Sequence, residues 1–152
     1  MRIAIGSDHA GYELKQRLVR ELDALGHQVL DLGTHAATPA VDYPDYCFPV
    51  GELVARGEVD RGVVLGGSGI GEAIAANKVA GVRAALVTSD ETARLTREHN
   101  DSNVFAVGSR TNRHDDAVRW LRIWLETAFE GGRHVPRLDK IREYEDLHWR
   151  KR

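Results

Sequence analysis

Val63-Val64-Leu65 runs directly into Gly66-Gly67-Ser68-Gly69-Ile70-Gly71-Glu72, and that loop runs into Ala73-Ile74-Ala75-Ala76-Asn77-Lys78. A short apolar run, a glycine-dense turn and a helix-forming stretch predict a strand feeding a helix. Glycines at 66, 67, 69 and 71 predict backbone that comes close to a ligand and adopts positive φ. The first turn of the following helix adds unpaired N–H groups and the positive end of a dipole, so the turn suits a developing anion. A Walker-type phosphate loop has Lys after its last glycine; here the residue is Glu72, which would repel a phosphate dianion in the same cradle. The dinucleotide fingerprint fits poorly too, because after Gly67 and Gly69 the next glycine, Gly71, comes one residue early and the motif does not follow the first strand. Glu72 therefore reads as a proton-transfer group, or else as an ordinary first-turn carboxylate that complements the helix dipole.

Working outward, short apolar runs alternate with longer amphipathic stretches. Strands are expected at Arg2 to Gly6, Gln28 to Leu32, Gly62 to Leu65, Val82 to Val87 and Asn103 to Val107. Helices are expected at Tyr12 to Leu25, Asp45 to Arg56, Gly71 to Val79, Glu91 to Asn100, Asp115 to Phe129 and Arg137 to Leu147. This alternation predicts an α/β fold: a Rossmann-like three-layer α/β/α sandwich on a five-stranded parallel sheet, with ligands gathered beyond the carboxyl ends of the strands. Three strand ends carry conspicuous polar residues: Ser7-Asp8-His9, the glycine loop with Ser68 and Glu72, and Gly108-Ser109-Arg110. They should share one rim. The one long irregular connection, Gly33 to Pro44, is placed to shape its mouth.

The 152 residues suffice for one well-packed domain and not for two of normal size. A formal charge of −2 creates no field to draw in nucleic acid, and the basic end His148-Trp149-Arg150-Lys151-Arg152 reads as a solvated terminus. One cysteine, Cys47, forbids an intrachain disulfide. No apolar segment approaches the roughly 18 residues of a membrane span, and no signal-peptide pattern opens the chain. The expectation is a cytoplasmic protein without membrane contact.

Single residues leave alternatives open. Asp8 is placed either to cap the helix that follows or to hold a ligand, whereas His9 belongs to no apolar pattern and favours phosphate or sugar hydroxyls. His99, before Asn100 at a helix end, is a functional imidazole or a cation favoured by the helix carbonyls. Arg133 and Arg137 lie one helical turn apart beside His134, after Gly131-Gly132; the pair suits a phosphate dianion, or forms a solvated basic face balanced by Glu130 and Asp139. Cys47 reads as a buried small apolar residue, and Trp120 with Trp124 as core or subunit interface. The seven histidines show no paired spacing with Cys or carboxylates, so no metal site is expected.

Taken together, SDHAGYELK at 7–15, DYP at 42–44, GGSGIGEAIAANKVAGVRAA at 66–85, REHND at 97–101, GSR at 108–110 and EGGRHVPR at 130–137 resemble the ribose-5-phosphate isomerase B family. That family also contains galactose-6-phosphate isomerase subunits and allose-6-phosphate isomerases. The resemblance implies a single α/β/α domain spanning 1–152, working as a homodimer or a dimer of dimers with the site shared between subunits and the C-terminal helix, about 137–147, on the partner. It implies aldose–ketose isomerisation of ribose 5-phosphate and ribulose 5-phosphate through an enediolate, without cofactor or metal. Many members carry a cysteine base where this chain has Gly66. A branch typified by actinobacterial enzymes uses instead the glutamate of GGSGxGE, the place of Glu72. By the same resemblance His99 opens the sugar ring, Ser68 and the amides of Gly67, Gly69 and Gly71 stabilise the oxyanion, and Asp8 holds hydroxyls. His9, Arg110, Arg133 and Arg137 match phosphate or ring-oxygen positions, with His134 nearby, and Tyr43 and Asn100 line the pocket. The alternatives are the same chemistry on a hexose 6-phosphate or a tetrulose 4-phosphate, and a non-catalytic sugar-phosphate binding module.

Overall fold

A computed structural model describes residues 1–149. Strands β1 (Arg2–Ser7), β2 (Gln28–Asp31), β3 (Arg61–Gly66), β4 (Ala84–Leu86) and β5 (Val104–Gly108) form one sheet in the order β2-β1-β3-β5-β4, with every neighbouring pair parallel. Parallel neighbours cannot be joined by tight turns, so each connection carries a helix back across a face of the sheet. These helices are α1 (Tyr12–Ala24), α2 (Pro44–Ala55), α3 (Ile70–Ala76) and α4 (Asp90–Asn100); after β5 come α5 (His114–Glu126) and a 3-10 turn (Gly132–His134) that leads into α6 (Val135–His148).

The two-residue period of the strands sorts the core into two layers. Ile3, Ile5, Val63, Leu65, Phe105 and Val107 face α1 and α5, meeting Leu14, Leu18, Leu22, Leu121 and Trp124. Ala4, Val64, Val104 and Ala106 face the other way, onto Cys47, Val50 and Val54 of α2 and Ala73, Ala75 and Ala76 of α3. Small residues on that second face let α2 and α3 lie close to the sheet. Both candidate tryptophans are core: Trp124 Nε1 donates to Ser102 Oγ at 2.7 Å and Trp120 Nε1 donates to Asp90 Oδ1 at 2.8 Å. Each buried indole thus keeps its one polar group satisfied.

Four elements differ clearly in their bounds from expectation. Helix α3 stops at Ala76, short of Val79, because the Asn77 side chain pairs with Ala84 in both directions: Nδ2 donates to its carbonyl at 2.9 Å and Oδ1 accepts its N–H at 2.8 Å. Helix α5 stops at Glu126, short of Phe129; the chain beyond is drawn across α4, with Arg97 Nε on the Thr127 carbonyl at 3.3 Å and the Glu130 N–H on the Glu98 carbonyl at 3.1 Å. Strand β4 keeps three residues of the six expected, as an edge strand with one neighbour. Helix α6 begins earlier, at Val135, so Arg137 falls in its first turn.

Alongside β4, α6 frames a groove of about 600 Å³ whose apolar lining includes Ala84, Ala85, Leu138, Ile141 and Tyr144. Tyr144 and Leu147 are about 60% exposed on this helix, large apolar groups that one chain leaves in water. Of the basic end, Arg150, Lys151 and Arg152 lie outside the described residues. Among the described residues no helix is long and apolar enough to cross a membrane.

Candidate active site

The carboxyl ends of β1, β3 and β5 meet as expected. The N–H groups of Ser109 and Arg110 donate to the carbonyls of Gly66 and Gly67 at 2.8 and 2.9 Å, and Ser109 Oγ donates to the Ala10 carbonyl at 2.6 Å. These bonds stitch the glycine loop between the other two strand ends. Of its glycines only Gly69 has the expected positive φ, +78°; the others serve by leaving space. A Cβ at Gly71 would stand 2.7 Å from Cζ of Tyr43, so the Tyr43 ring lies against that glycine. At Gly66 a Cβ would fall onto Glu72 Oε1 and only 2.6 Å from its carboxyl carbon. The missing side chain of residue 66 is the space that the Glu72 carboxylate occupies.

Glu72 is 3% exposed, and its Oε2 is buried without a hydrogen-bond partner. Burial pushes its pKa above the ordinary carboxylate range and the negative charge of Asp8 adds to the rise; hydrogen bonds from the backbone N–H groups of Glu72 and Gly69 pull the other way. The net rise gives a carboxyl group that gains and releases a proton nearer neutrality. Since the Gly69 amide serves Glu72, and the Ile70 N–H donates to Ser68 Oγ at 3.2 Å, the cradle is smaller than the sequence suggested. The Ser68 hydroxyl, acting as acceptor there, keeps its own proton to donate.

Asp8 stands three residues before the N-cap of α1, which is Gly11, and supports the turn that leads into the helix rather than capping it. Its Oδ1 accepts the Gly11 N–H at 3.0 Å, fixing the turn before α1, and the same atom would lie 3.2 Å from a Cβ on Gly66, beside Glu72. His9 is held by the irregular connection: its Nδ1 lies 3.1 Å from both the backbone nitrogen and the carbonyl oxygen of Val41. That connection is itself anchored by a buried pair. Lys15, with no exposed surface, donates to both carboxylate oxygens of Asp31 at 2.5 Å, and Asp31 accepts the Gly33 N–H at 2.9 Å. Arg110 stretches over Gly67, with Cδ 3.6 Å from the position of a Cβ there. Cys47 is fully buried, and its thiol is held far above its usual value by that burial and by the charges of Glu72 and Asp8. It stays a protonated core residue.

His99, Arg133, His134 and Arg137 form a second cluster. The rings of His99 and His134 stack with centroids 4.4 Å apart, Arg133 Nε donates to His134 Nε2 at 3.4 Å, and Arg137 Nη1 lies 3.5 Å from His134 Nδ1. Glu130, which the sequence offered only as a balancing charge, approaches His134 Nε2 at 3.4 Å, and the ligand atoms of His99, Glu130 and His134 lie within 4.8 Å of one another. The i, i+4 spacing of Glu130 and His134 was the signal that the sequence expectation passed over. A divalent cation in that triangle would meet Arg133 and Arg137 at close range, so the charge balance suits an anion better. Asn100 is exposed at the end of α4 and lines the groove beside α6.

The two clusters sit at opposite ends of the sheet. Asp8 and Glu72 follow the carboxyl ends of β1 and β3. Helix α4 returns from the carboxyl end of β4, and the chain just past its last residue is tied to the amino ends of β4 and β5: the Arg83 N–H donates to Asn103 Oδ1 at 2.7 Å. A strand of five or six residues separates the two ends by roughly 17–20 Å. One chain alone does not bring His99 to Glu72.

This is the architecture of an open α/β protein with a buried carboxylate at its ligand-binding edge and a cationic cluster apart from it. Residues 3–141 match the Ribose/Galactose Isomerase family, and the chain belongs to that family. It is 42% identical to the ribose-5-phosphate isomerase B of Mycolicibacterium paratuberculosis, over 97% of this chain and 94% of the relative. Its structure resembles that of the Clostridium thermocellum ribose-5-phosphate isomerase B with a TM-score of 0.95, at 48% identity over 97% of this chain and 99% of the other. It also resembles the Mycoplasma genitalium ribose-5-phosphate isomerase B crystallised with ribulose-5-phosphate, with a TM-score of 0.92 at 40% identity over 95% and 96% of the two chains.

Proposed function

We propose that this protein interconverts ribose 5-phosphate and ribulose 5-phosphate through an enediolate, with Glu72 as the base. The observation that carries the reading is Glu72 itself: buried, raised in pKa, with one oxygen unpartnered, in a family of sugar-phosphate isomerases. Its carboxylate takes the proton from C2 and returns it to C1, which a base with a pKa nearer the working pH does best. The Ser68 hydroxyl and loop amides meet the charge that develops on the carbonyl oxygen. Asp8 and Tyr43 hold sugar hydroxyls beside the base.

His99 opens the furanose ring, and Arg133 and Arg137 bind the phosphate with His134 between them. Since these groups lie a strand's length from Glu72, the working site takes Glu72 from one subunit and the His99 cluster from another, in a homodimer or a dimer of dimers. The groove beside α6, with Ile141, Tyr144 and Leu147 exposed, supplies an apolar surface for that contact. The matching family is named for galactose as well as ribose, so hexose 6-phosphates are the competing substrates.

The test is isomerisation of ribose 5-phosphate by the purified protein with chelator present, alongside hexose 6-phosphates and a tetrulose 4-phosphate. Rapid turnover of the pentose is expected, with Glu72→Gln slower by several orders of magnitude at little change in KM. Undiminished turnover by Glu72→Gln would remove Glu72 from the chemistry, and preference for a hexose phosphate would reassign the substrate.

A further inference from the structure

Asp101 closes α4 in a left-handed conformation, φ 45° and ψ 45°, the one non-glycine residue with positive φ among those described. A side chain is strained there, so the conformation has to be held by its surroundings. Two arginines hold it. Arg97, 5% exposed, donates from Nη1 to Asp101 Oδ1 at 2.8 Å and to the Ser102 carbonyl at 2.6 Å. From the other side Arg83 Nη2 reaches Asp101 Oδ2 at 3.1 Å and the Asp101 carbonyl at 2.8 Å, while Arg83 Nε donates to the Asn100 carbonyl at 3.0 Å. The carboxylate of Asp101 therefore bridges two guanidinium groups across the final turn of α4, the turn that carries His99 and Asn100. Arg97 extends the bridge to the Thr127 carbonyl, at the start of the segment that delivers His134 to its stack on His99.

We propose that Asp101 is a positioning residue for ring opening: its two-arginine clamp fixes the last turn of α4 so that the His99 imidazole keeps its place against His134. The inference rests on the assignment of His99 to ring opening. Removing the carboxylate frees the helix end and leaves Arg97 buried without its acidic partner, so the His99 ring samples orientations that do not reach the sugar.

The experiment compares Asp101→Gly, which accepts the left-handed backbone but has no carboxylate, with Asp101→Asn, which keeps an acceptor and tolerates the conformation. Each is made in the wild type and in His99→Asn, with thermal melting recorded for all. Asp101→Gly is expected to lower kcat for ribose 5-phosphate about tenfold with KM within about twofold, Asp101→Asn to fall between, and neither to lower kcat further in His99→Asn. Wild-type kcat in a folded Asp101→Gly, or an equal loss in both backgrounds, overturns the inference while leaving His99 in its role. Wild-type kcat in His99→Asn overturns the His99 assignment and the inference with it.

Discussion

Replacing Gly66 by Ala adds one methyl group where the structure has no room for it. The new carbon would overlap Glu72 Oε1 and lie 2.6 Å from the carboxyl carbon, against about 3.5 Å for an ordinary carbon–carbon contact. The carboxyl group must withdraw by about 1 Å, and a misplacement of that size costs on the order of a hundredfold in rate. Overpacking at this buried strand end should also cost about 1–3 kcal/mol in stability. Steady-state turnover of ribose 5-phosphate and thermal melting test both effects, and Glu72→Ala provides the control. In that background the carboxylate is gone, so Gly66→Ala should cost little further stability, a coupling read from the double-mutant cycle. A Gly66→Ala protein with wild-type kcat and wild-type melting would refute the claim that residue 66 is empty on behalf of Glu72.

Shared sites predict complementation: equal amounts of inactive Glu72→Gln and His99→Asn proteins, unfolded together and refolded, should recover roughly a quarter of wild-type activity. Half of the dimers would then be hybrids with one intact site each. No recovery would argue for sites complete within one chain. The raised pKa of Glu72 means that the folded protein holds this proton more tightly than the unfolded chain does. Its contribution to stability is complete below the ordinary carboxylate pKa and is lost as pH rises through the raised value. Glu72→Gln should therefore melt above the wild type near pH 7, with the gap closing toward about pH 4; a gap constant with pH would contradict the burial argument.

The order of strands and helices was legible because each strand is either a short apolar run or an alternating one, and α1, α4 and α5 carry clear apolar stripes. Helix ends were less legible, since side chains distant in sequence set them: Asn77 reaching Ala84 for α3, and Arg97 reaching Thr127 beyond α5. At the site, the glycine loop announced itself, but the reason for its first glycine did not. Sequence suggested backbone freedom at 66, 67, 69 and 71, while the structure uses positive φ at Gly69 alone. The clamp on Asp101 was half legible: Arg97 stands on α4 four residues before Asp101, whereas Arg83, just ahead of β4, reaches it only through folding. Glu130 could have been found, standing four residues before His134 on the approach to a helix.

The emptiness of residue 66 also constrains how such a site changes over generations. The pocket has room for a side chain at 66 or for the carboxylate of residue 72, but not for both as they stand. A lineage that gained the glutamate first would force it against an occupied position, whereas one that first shrank residue 66 to glycine would open a vacancy that a glutamate could later fill. The volume of one methyl group thus sets an order for the two changes: position 66 has to be emptied before a glutamate at 72 can settle.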